Sequence, residues 1–362
     1  MPVTCVDVPD LGVTTLGIPG WTIPRRGAAC LADCCLIIPT YKRPREATAL
    51  LKMLADRADA PGEIIIADGY PRSGLDGQLR DWAAARTLPF DLIYVRCPAG
   101  LTRQRNIGID ISSRPYVFFL DDDSVPLEDY FRQMREVFVN DVARRIGAVG
   151  GCVVDGMDRP LSRKWRLRLG LRLIPRVEPG IYASCGTSTP RALAKRFRGL
   201  RRVDVLPGCA FAFRREVLER HRFSSFFAGY SQGEDLEMSL RVGCEWEIVC
   251  CGDAEMLHEV APGGRPPSFT KGRMEVRNRF FIWKRHRPRT LVIDRFRFWS
   301  DIALLVAFDA CHFLLRPWRP ASLAHAAGIL YGVLGCVFAP PRHTEPRARR
   351  EYHLDLEAAA AR

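Results

Sequence analysis

YVFFLDDDS, residues Tyr116–Ser124, is the stretch that decides the fold. Five apolar residues, Tyr116–Leu120, run without a break into Asp121, Asp122 and Asp123. A short apolar run bounded by polar residues is the pattern of a strand buried on both faces. Working outward, the same pattern recurs. Cys34–Pro39 (CCLIIP) runs into Thr40-Tyr41-Lys42-Arg43-Pro44, Glu63–Ala67 (EIIIA) stops at Asp68-Gly69, and Asp91–Val95 reads DLIYV. Residues 45–58, 75–85, 101–111 and 127–140 lie between or after these runs and carry apolar positions at helical spacing. Strands alternating with helices predict an α/β fold with a mostly parallel sheet flanked by helices. Ligands of such sheets bind beyond the carboxyl ends of the strands. Thr40, Asp68 and Asp121 each fall at such an end, which predicts one shared binding edge.

Beyond the Asp triplet, residues 146–154 read as a further strand and 203–213 as strand-like, broken at Gly208. Residues 159–176 are dense in Arg, Leu and Trp, which suits an amphipathic surface helix or an element facing a membrane or substrate. Ser231–Asp235 (SQGED) opens a helix through Val242; Glu247–Cys251 (EIVCC) is a late strand, and His258 follows. Residues 1–27 are rich in Pro, Gly and Thr and lack the basic start and apolar core of a secretory signal, so 1–33 reads as an irregular lead-in.

Composition bounds the function. Hydrophobic residues at 47% and charged residues at 26% exclude a disordered chain. A net charge of +13 favours anionic partners such as phosphate-bearing substrates, an acidic membrane surface or nucleic acid. No nucleic-acid-binding module is recognisable, so nucleic acid is not an expected partner. The 13 cysteines are odd in number and form no paired CxxC array, which points to reduced thiols rather than disulfides or zinc.

Four groups carry chemistry. Adjacent carboxylates at Asp121–Asp123 repel one another, and a hard divalent cation such as Mn²⁺ or Mg²⁺ would neutralise them while bridging to substrate phosphates. The bland alternative is an acidic cap on the helix that follows. Glu234 and Asp235 either serve the dipole of their own helix or supply a general base on a rigid element. Gly100–Gly108 (GLTRQRNIG) offers a helix N-terminus with Arg103 and Arg105 to a diphosphate. His258 is either a structural histidine or the residue that completes a metal shell.

Taken in order, IIPTYKRP (Ile37–Pro44), IIIADG (Ile64–Gly69), LTRQRNIGI (Leu101–Ile109), FLDDDSVP (Phe119–Pro126), PGCAFAFRREVL (Pro207–Leu218) and FFAGYSQGEDLEMSLRV (Phe226–Val242) resemble the family-two glycosyltransferases of the GT-A fold, in their bacterial membrane-associated form. The resemblance implies an inverting transfer of a sugar from a nucleoside-diphosphate sugar to a hydroxyl of a glycan or lipid-linked acceptor, in cell-surface polysaccharide synthesis. It implies that Pro39, Thr40 and Asp68 hold the nucleotide base and ribose, and that Arg105 and Asn106 lie under the nucleotide. Asp121 and Asp122 would meet the donor, Asp123 the metal, whose shell His258 could complete by its own position, and Gly208 and Cys209 the sugar. Glu234 and Asp235 would be the acidic pair on the acceptor side, with Asp235 the base. Members commonly carry two acidic residues after the second strand; here Asp68 is followed by Gly69-Tyr70. Three successive Asp leave the metal ligand open between Asp122 and Asp123.

A catalytic unit over 34–290 is expected, then a membrane-associated helical region over 291–341 and a charged tail over 342–362. Residues 302–315 are too few to span a bilayer, and Ala321–Phe338 is closer to spanning length. His325, Gly328, Gly332 and Gly335 share one side of the second segment, a small-residue face suited to close packing. With Lys284, Arg285, Arg287, Arg289, Arg295 and Arg297 in front, this suits peripheral or monotopic attachment to the cytoplasmic face of the inner membrane, or else two core helices. Two rival functions remain: a non-catalytic scaffold of the same fold, and a sugar-phosphate nucleotidyltransferase. The latter would want a Gly-rich loop where this chain has Thr40–Pro44.

Overall fold

The computed structural model describes residues 20–25, 27, 31–227, 229–259, 265–287 and 289–342. In chain order the elements are β1 (Gly20–Ile23), β2 (Leu31–Thr40), α1 (Pro44–Ala55), β3 (Pro61–Asp68), α2 (Leu75–Ala84), β4 (Asp91–Arg96), α3 (Leu101–Ile111), β5 (Tyr116–Phe119), β6 (Ser124–Pro126), α4 (Tyr130–Asn140), β7 (Ile146–Val153), α5 (Arg163–Gly170), β8 (Leu200–Arg202), β9 (Phe211–Arg214), α6 (Arg215–Arg220), α7 (Glu234–Val242), β10 (Glu247–His258), α8 (Ser268–His286), α9 (Val292–Leu315) and α10 (Ala321–Phe338). One sheet runs in the order β1-β4-β3-β2-β5-β9-β7-β10-β6, with β8 on β10. The neighbours β4, β3, β2 and β5 are mutually parallel, as are β7 and β10. Between these parallel sets β9 runs antiparallel to both neighbours, so the sheet is mixed.

The apolar runs are continuous because both faces of the sheet are covered. Leu36, Ile38, Ile64 and Ile66 join one core, with α1, α2 and α4 residues. Their neighbours Cys35, Ile37, Ile65 and Ala67 join the other, with α3 and α7 residues. Alternating side chains of one strand thus feed two cores.

Strands depart from the sequence expectation at several points. Inside the expected irregular lead-in, β1 pairs antiparallel with β4, and Trp21 donates its ring N–H to Asp76. Only Phe211–Arg214 of the expected strand over 203–213 is strand; residues 203–210 form the loop that carries Gly208. In contrast β10 does not stop at Cys251. A register irregularity between Cys251 and Glu255 absorbs Gly252, Asp253 and Ala254, and the strand continues to His258, which pairs with Ser124 of β6. A Gly-Asp pair reads as a strand end in sequence, yet an irregularity of this kind accommodates extra residues without ending the strand.

After the sheet, α8 packs against α10 at backbone contact distance. A Cβ on Gly272 would lie 2.2 Å from the His325 carbonyl oxygen, and one on Gly328 would lie 2.0 Å from that of Phe269. Gly332 also faces α8, whereas nothing lies within 4 Å of a Cβ on Gly335, so the expected small-residue face ends before that position. The first apolar segment forms a 24-residue helix, α9, longer than the expected 302–315 because it starts at Val292. At 1.5 Å per residue that is ~36 Å. Its buried side carries Asp301, which accepts from Arg168 of α5 and Arg279 of α8, while Asp309 meets His325. Both α9 and α10 are long and apolar enough to cross a membrane, but only 22% and 28% of their most apolar stretches is buried. Helices of a soluble core would be mostly covered. Leu314, Leu315, Leu330, Leu334, Val337 and Phe338 all stand exposed. The charged tail from 343 on lies outside the described residues.

Candidate active site

Strand ends converge as the α/β pattern requires. β5 delivers Asp121–Asp123, β2 delivers Pro39 and Thr40, β10 delivers His258 and the start of α7 delivers Glu234. These residues line one cavity of ≈ 410 Å³, together with Arg43, Gly100, Gln104, Tyr230 and Arg265. One carboxylate oxygen each from Asp121 and Asp123 and one ring nitrogen of His258 lie within 4.8 Å of one another. His258 Nε2 is 3.1 Å from Asp123 Oδ1 and 3.9 Å from Asp121 Oδ2. Two carboxylates and one imidazole form an O/N donor set suited to Mn²⁺ or a similar divalent ion.

Asp122 is built differently. Its Oδ2 accepts from the Thr40 hydroxyl at 2.7 Å and its Oδ1 from Arg43 at 2.9 Å, so both oxygens are engaged away from the three-donor cluster. Burial pushes its pKa up to about 6, against the lowering effect of Thr40 and Arg43. Arg43 reaches Asp123 Oδ2 as well, at 2.9 Å, and balances two of the three carboxylates. The hydrogen bond to Asp123 and the contact with Cys209 push His258 up to about 10; to hold a cation the ring would give up that proton.

On the other side of the cavity the acidic pair divides. Glu234 is buried, lines the cavity and accepts from Arg105 Nη1 at 3.1 Å. Desolvation and the neighbouring Asp235 push its pKa to about 7, with Arg105 pulling the other way. Asp235 is half-buried beside the cavity, and its Oδ2 accepts the Gly208 N–H at 3.0 Å. That approach requires glycine at 208, where a Cβ would lie 3.0 Å from Asp235 Cβ.

Other predicted residues stand behind this wall. Asp68 is 1% exposed; its Oδ1 accepts the Tyr70 N–H and its Oδ2 the Tyr94 hydroxyl, so neither oxygen points at the cavity. Asn106 holds the Phe223 backbone through both its amide groups, each at 2.9 Å. Arg105 is buried, and its guanidinium lies 5.2 Å from each of the Phe211 and Phe223 rings. Cys209 is buried beside them, and its carbonyl accepts from the Ser124 hydroxyl.

Sequence reasoning missed Arg43, Gln104 and Asp155. The Gln104 amide N–H group donates to the Thr40 and Ala67 carbonyls and ties two strand ends together, and the Asp155 carboxylate accepts the His258 N–H. Arg43 carried a usable signal, a cation directly after a strand end; Asp155 carried none, because its role depends on where β10 ends.

The model of the family described as glycosyl transferase family 2 matches residues 35–222, more than half of the 362. Among solved structures, the chain is similar to a mannosyltransferase from Pyrobaculum calidifontis in complex with GDP-Man and Mn²⁺, at 16% identity and a TM-score of 0.51, over 88% of this chain and 92% of that one. It is also similar to GalNAc-T7 with UDP, GalNAc and Mn²⁺, at 16% identity and a TM-score of 0.44, over 66% of this chain and 45% of that one. No curated protein matches. The sheet is the GT-A arrangement, and the chain belongs to glycosyl transferase family 2.

Proposed function

We propose that this chain is a metal-dependent, inverting glycosyltransferase that moves a sugar from a nucleoside-diphosphate sugar to a hydroxyl of a glycan or lipid-linked acceptor, in cell-surface polysaccharide synthesis. The observation that carries this reading is the meeting of Asp121, Asp123 and His258 in the cavity that Glu234 closes from the opposite side. Asp123 and His258 would hold the cation, and Asp121 beside them would meet the donor. A cation bound there offsets the charge that develops on the departing diphosphate. Pro39 and Thr40 flank the nucleotide end, and the Gly208–Cys209 segment backs the wall beside the sugar. Asp235 accepts the proton of the acceptor hydroxyl as its oxygen attacks the anomeric carbon. The bond from that carbon to the β-phosphate oxygen breaks, and its electron pair leaves with the nucleoside diphosphate. No covalent enzyme intermediate is required.

The α9–α10 pair supports a reaction at a membrane. Ion pairs fasten one side of it to the catalytic unit, and the opposite side is exposed and apolar. That division suits helices lying in the bilayer interface on the cytoplasmic side of the inner membrane.

Nucleoside diphosphate release from UDP-, GDP- and dTDP-sugars, with Mn²⁺, Mg²⁺ or chelator, tests the activity. Release should need metal and fail in Asp123→Ala and Asp235→Asn. Release that ignores chelator, or that survives both substitutions, refutes the reading.

A further inference from the structure

Arg105 is one of the largest fully buried side chains of the protein and does not line the cavity, although both its carboxylate partners do. Its Nη2 donates to Asp121 Oδ1 at 3.1 Å and to the Gly208 carbonyl at 2.9 Å, while Nη1 donates to Glu234 Oε1 at 3.1 Å. The N–H of the same Gly208 holds Asp235 Oδ2 at 3.0 Å. One planar fork therefore joins the end of β5, the loop before β9 and the start of α7. We propose that Arg105 is a positioning residue that sets the acceptor-side pair Glu234–Asp235 relative to the donor-side carboxylate Asp121, without touching either substrate. This rests on the reading of Asp235 as the base.

Three physical facts support it. A guanidinium directs its N–H groups rigidly, so three acceptors on one fork have fixed relative positions; a lysine ammonium in the same place imposes no such geometry. The fork itself is fixed, because Phe211 and Phe223 face it and Asn106, the next residue in α3, locks the Phe223 backbone. A buried cation with two carboxylates also retains its place strongly, since removing one partner leaves uncompensated buried charge. The groups that face Glu234 are Arg105 from α3, Asp121 from the end of β5 and Asp235 from its own helix.

The test is Arg105→Lys, alone and combined with Glu234→Gln, read by nucleoside diphosphate release from the UDP-, GDP- or dTDP-sugar on which the wild type acts, with water as acceptor. The single variant should lose kcat on the order of 10- to 100-fold, the worth of a charge-assisted hydrogen bond. Its donor KM should stay within ~3-fold and the acid limb of its pH profile should move up. Added to Glu234→Gln, it should cost little more, because the two share one interaction. A raised donor KM at unchanged kcat, or full additivity with Glu234→Gln, overturns the proposal. Should Arg105→Lys fail to fold by circular dichroism, Glu234→Gln reads the same contact from its other end, and an unchanged kcat there is equally fatal. Wild-type turnover that Asp235→Asn abolishes but Arg105→Lys leaves intact removes this inference alone; undiminished turnover in Asp235→Asn removes it together with the base.

Discussion

Gly328→Ala and Gly335→Ala are the same chemical change on the same helix, and they should act in opposite directions. In a helix interior the change to alanine stabilises by up to ~1 kcal/mol, because glycine loses more backbone freedom on folding. At Gly335 nothing lies within 4 Å of the new Cβ, so that gain should appear undiminished. At Gly328 the new Cβ would lie 2.0 Å from the Phe269 carbonyl oxygen, 2.8 Å from its carbon and 3.0 Å from the Arg273 nitrogen, where ordinary contact begins at 3.4 Å. All three atoms are α8 backbone, so no side chain can swing aside. The helices must separate by 3.4 − 2.0 = 1.4 Å along that contact, which also loosens His325 from Glu275 on α8. Overpacking typically costs ~1–3 kcal/mol and this contact belongs at the upper end, so the net loss after the propensity gain is ~1–2 kcal/mol. Thermal unfolding in mild detergent, followed by circular dichroism, should show Gly328→Ala melting a few degrees below wild type and Gly335→Ala slightly above it. Equal shifts of the same sign in both variants would refute the close α8–α10 packing.

Three further outcomes are expected. Gly208→Ala should lower kcat by roughly 10-fold with little change in melting temperature, because its Cβ would push Asp235 and Arg105 by only a few tenths of an ångström; unchanged turnover would show that this approach does not matter. The rate should rise with pH through about 7 and level off above it. Burial makes the charged form of Glu234 unfavourable and keeps it protonated below that range, so Glu234→Gln should lack the limb in a pH–rate measurement. Asp301→Asn should destabilise the α5–α8–α9 junction by ~3–5 kcal/mol, because it leaves Arg168 and Arg279 without their shared carboxylate. Burial alone would raise the Asp301 pKa, but the two guanidinium groups outweigh it and hold it below the ordinary carboxylate range. Its stabilising contribution is therefore present at neutral pH and lost as acid titrates the folded-state group, a slope that Asp301→Asn should flatten in urea titrations at successive pH values.

Local pattern made much of the fold legible. Strands β2, β3, β4 and β5 are apolar because both faces of the sheet are buried, and each stops where polar side chains reach the edge. For the same reason Thr40 and Asp121 could be placed at one edge before any coordinates. Local pattern failed where a partner far along the chain decides. Glycine and aspartate at 252–253 signal an end, yet pairing with β7 and β6 carries β10 on to His258.

The sequence by itself therefore determined the strands β2 to β5, which polar groups stand at their ends and that an acidic cluster needs positive charge nearby. It could not say how that charge is shared, because hydrogen-bond geometry is a property of atoms brought together across the chain. Only the tertiary structure commits Asp122 to Thr40 and Arg43, leaves Asp121 and Asp123 with His258, and turns Asp68 inward to Tyr94. In the same way it takes Arg105 out of the cavity wall into a buried fork on Asp121, Glu234 and the Gly208 carbonyl. Each carboxylate has two oxygens with definite directions, and which partner fills each direction is decided by packing that no single stretch of the chain contains.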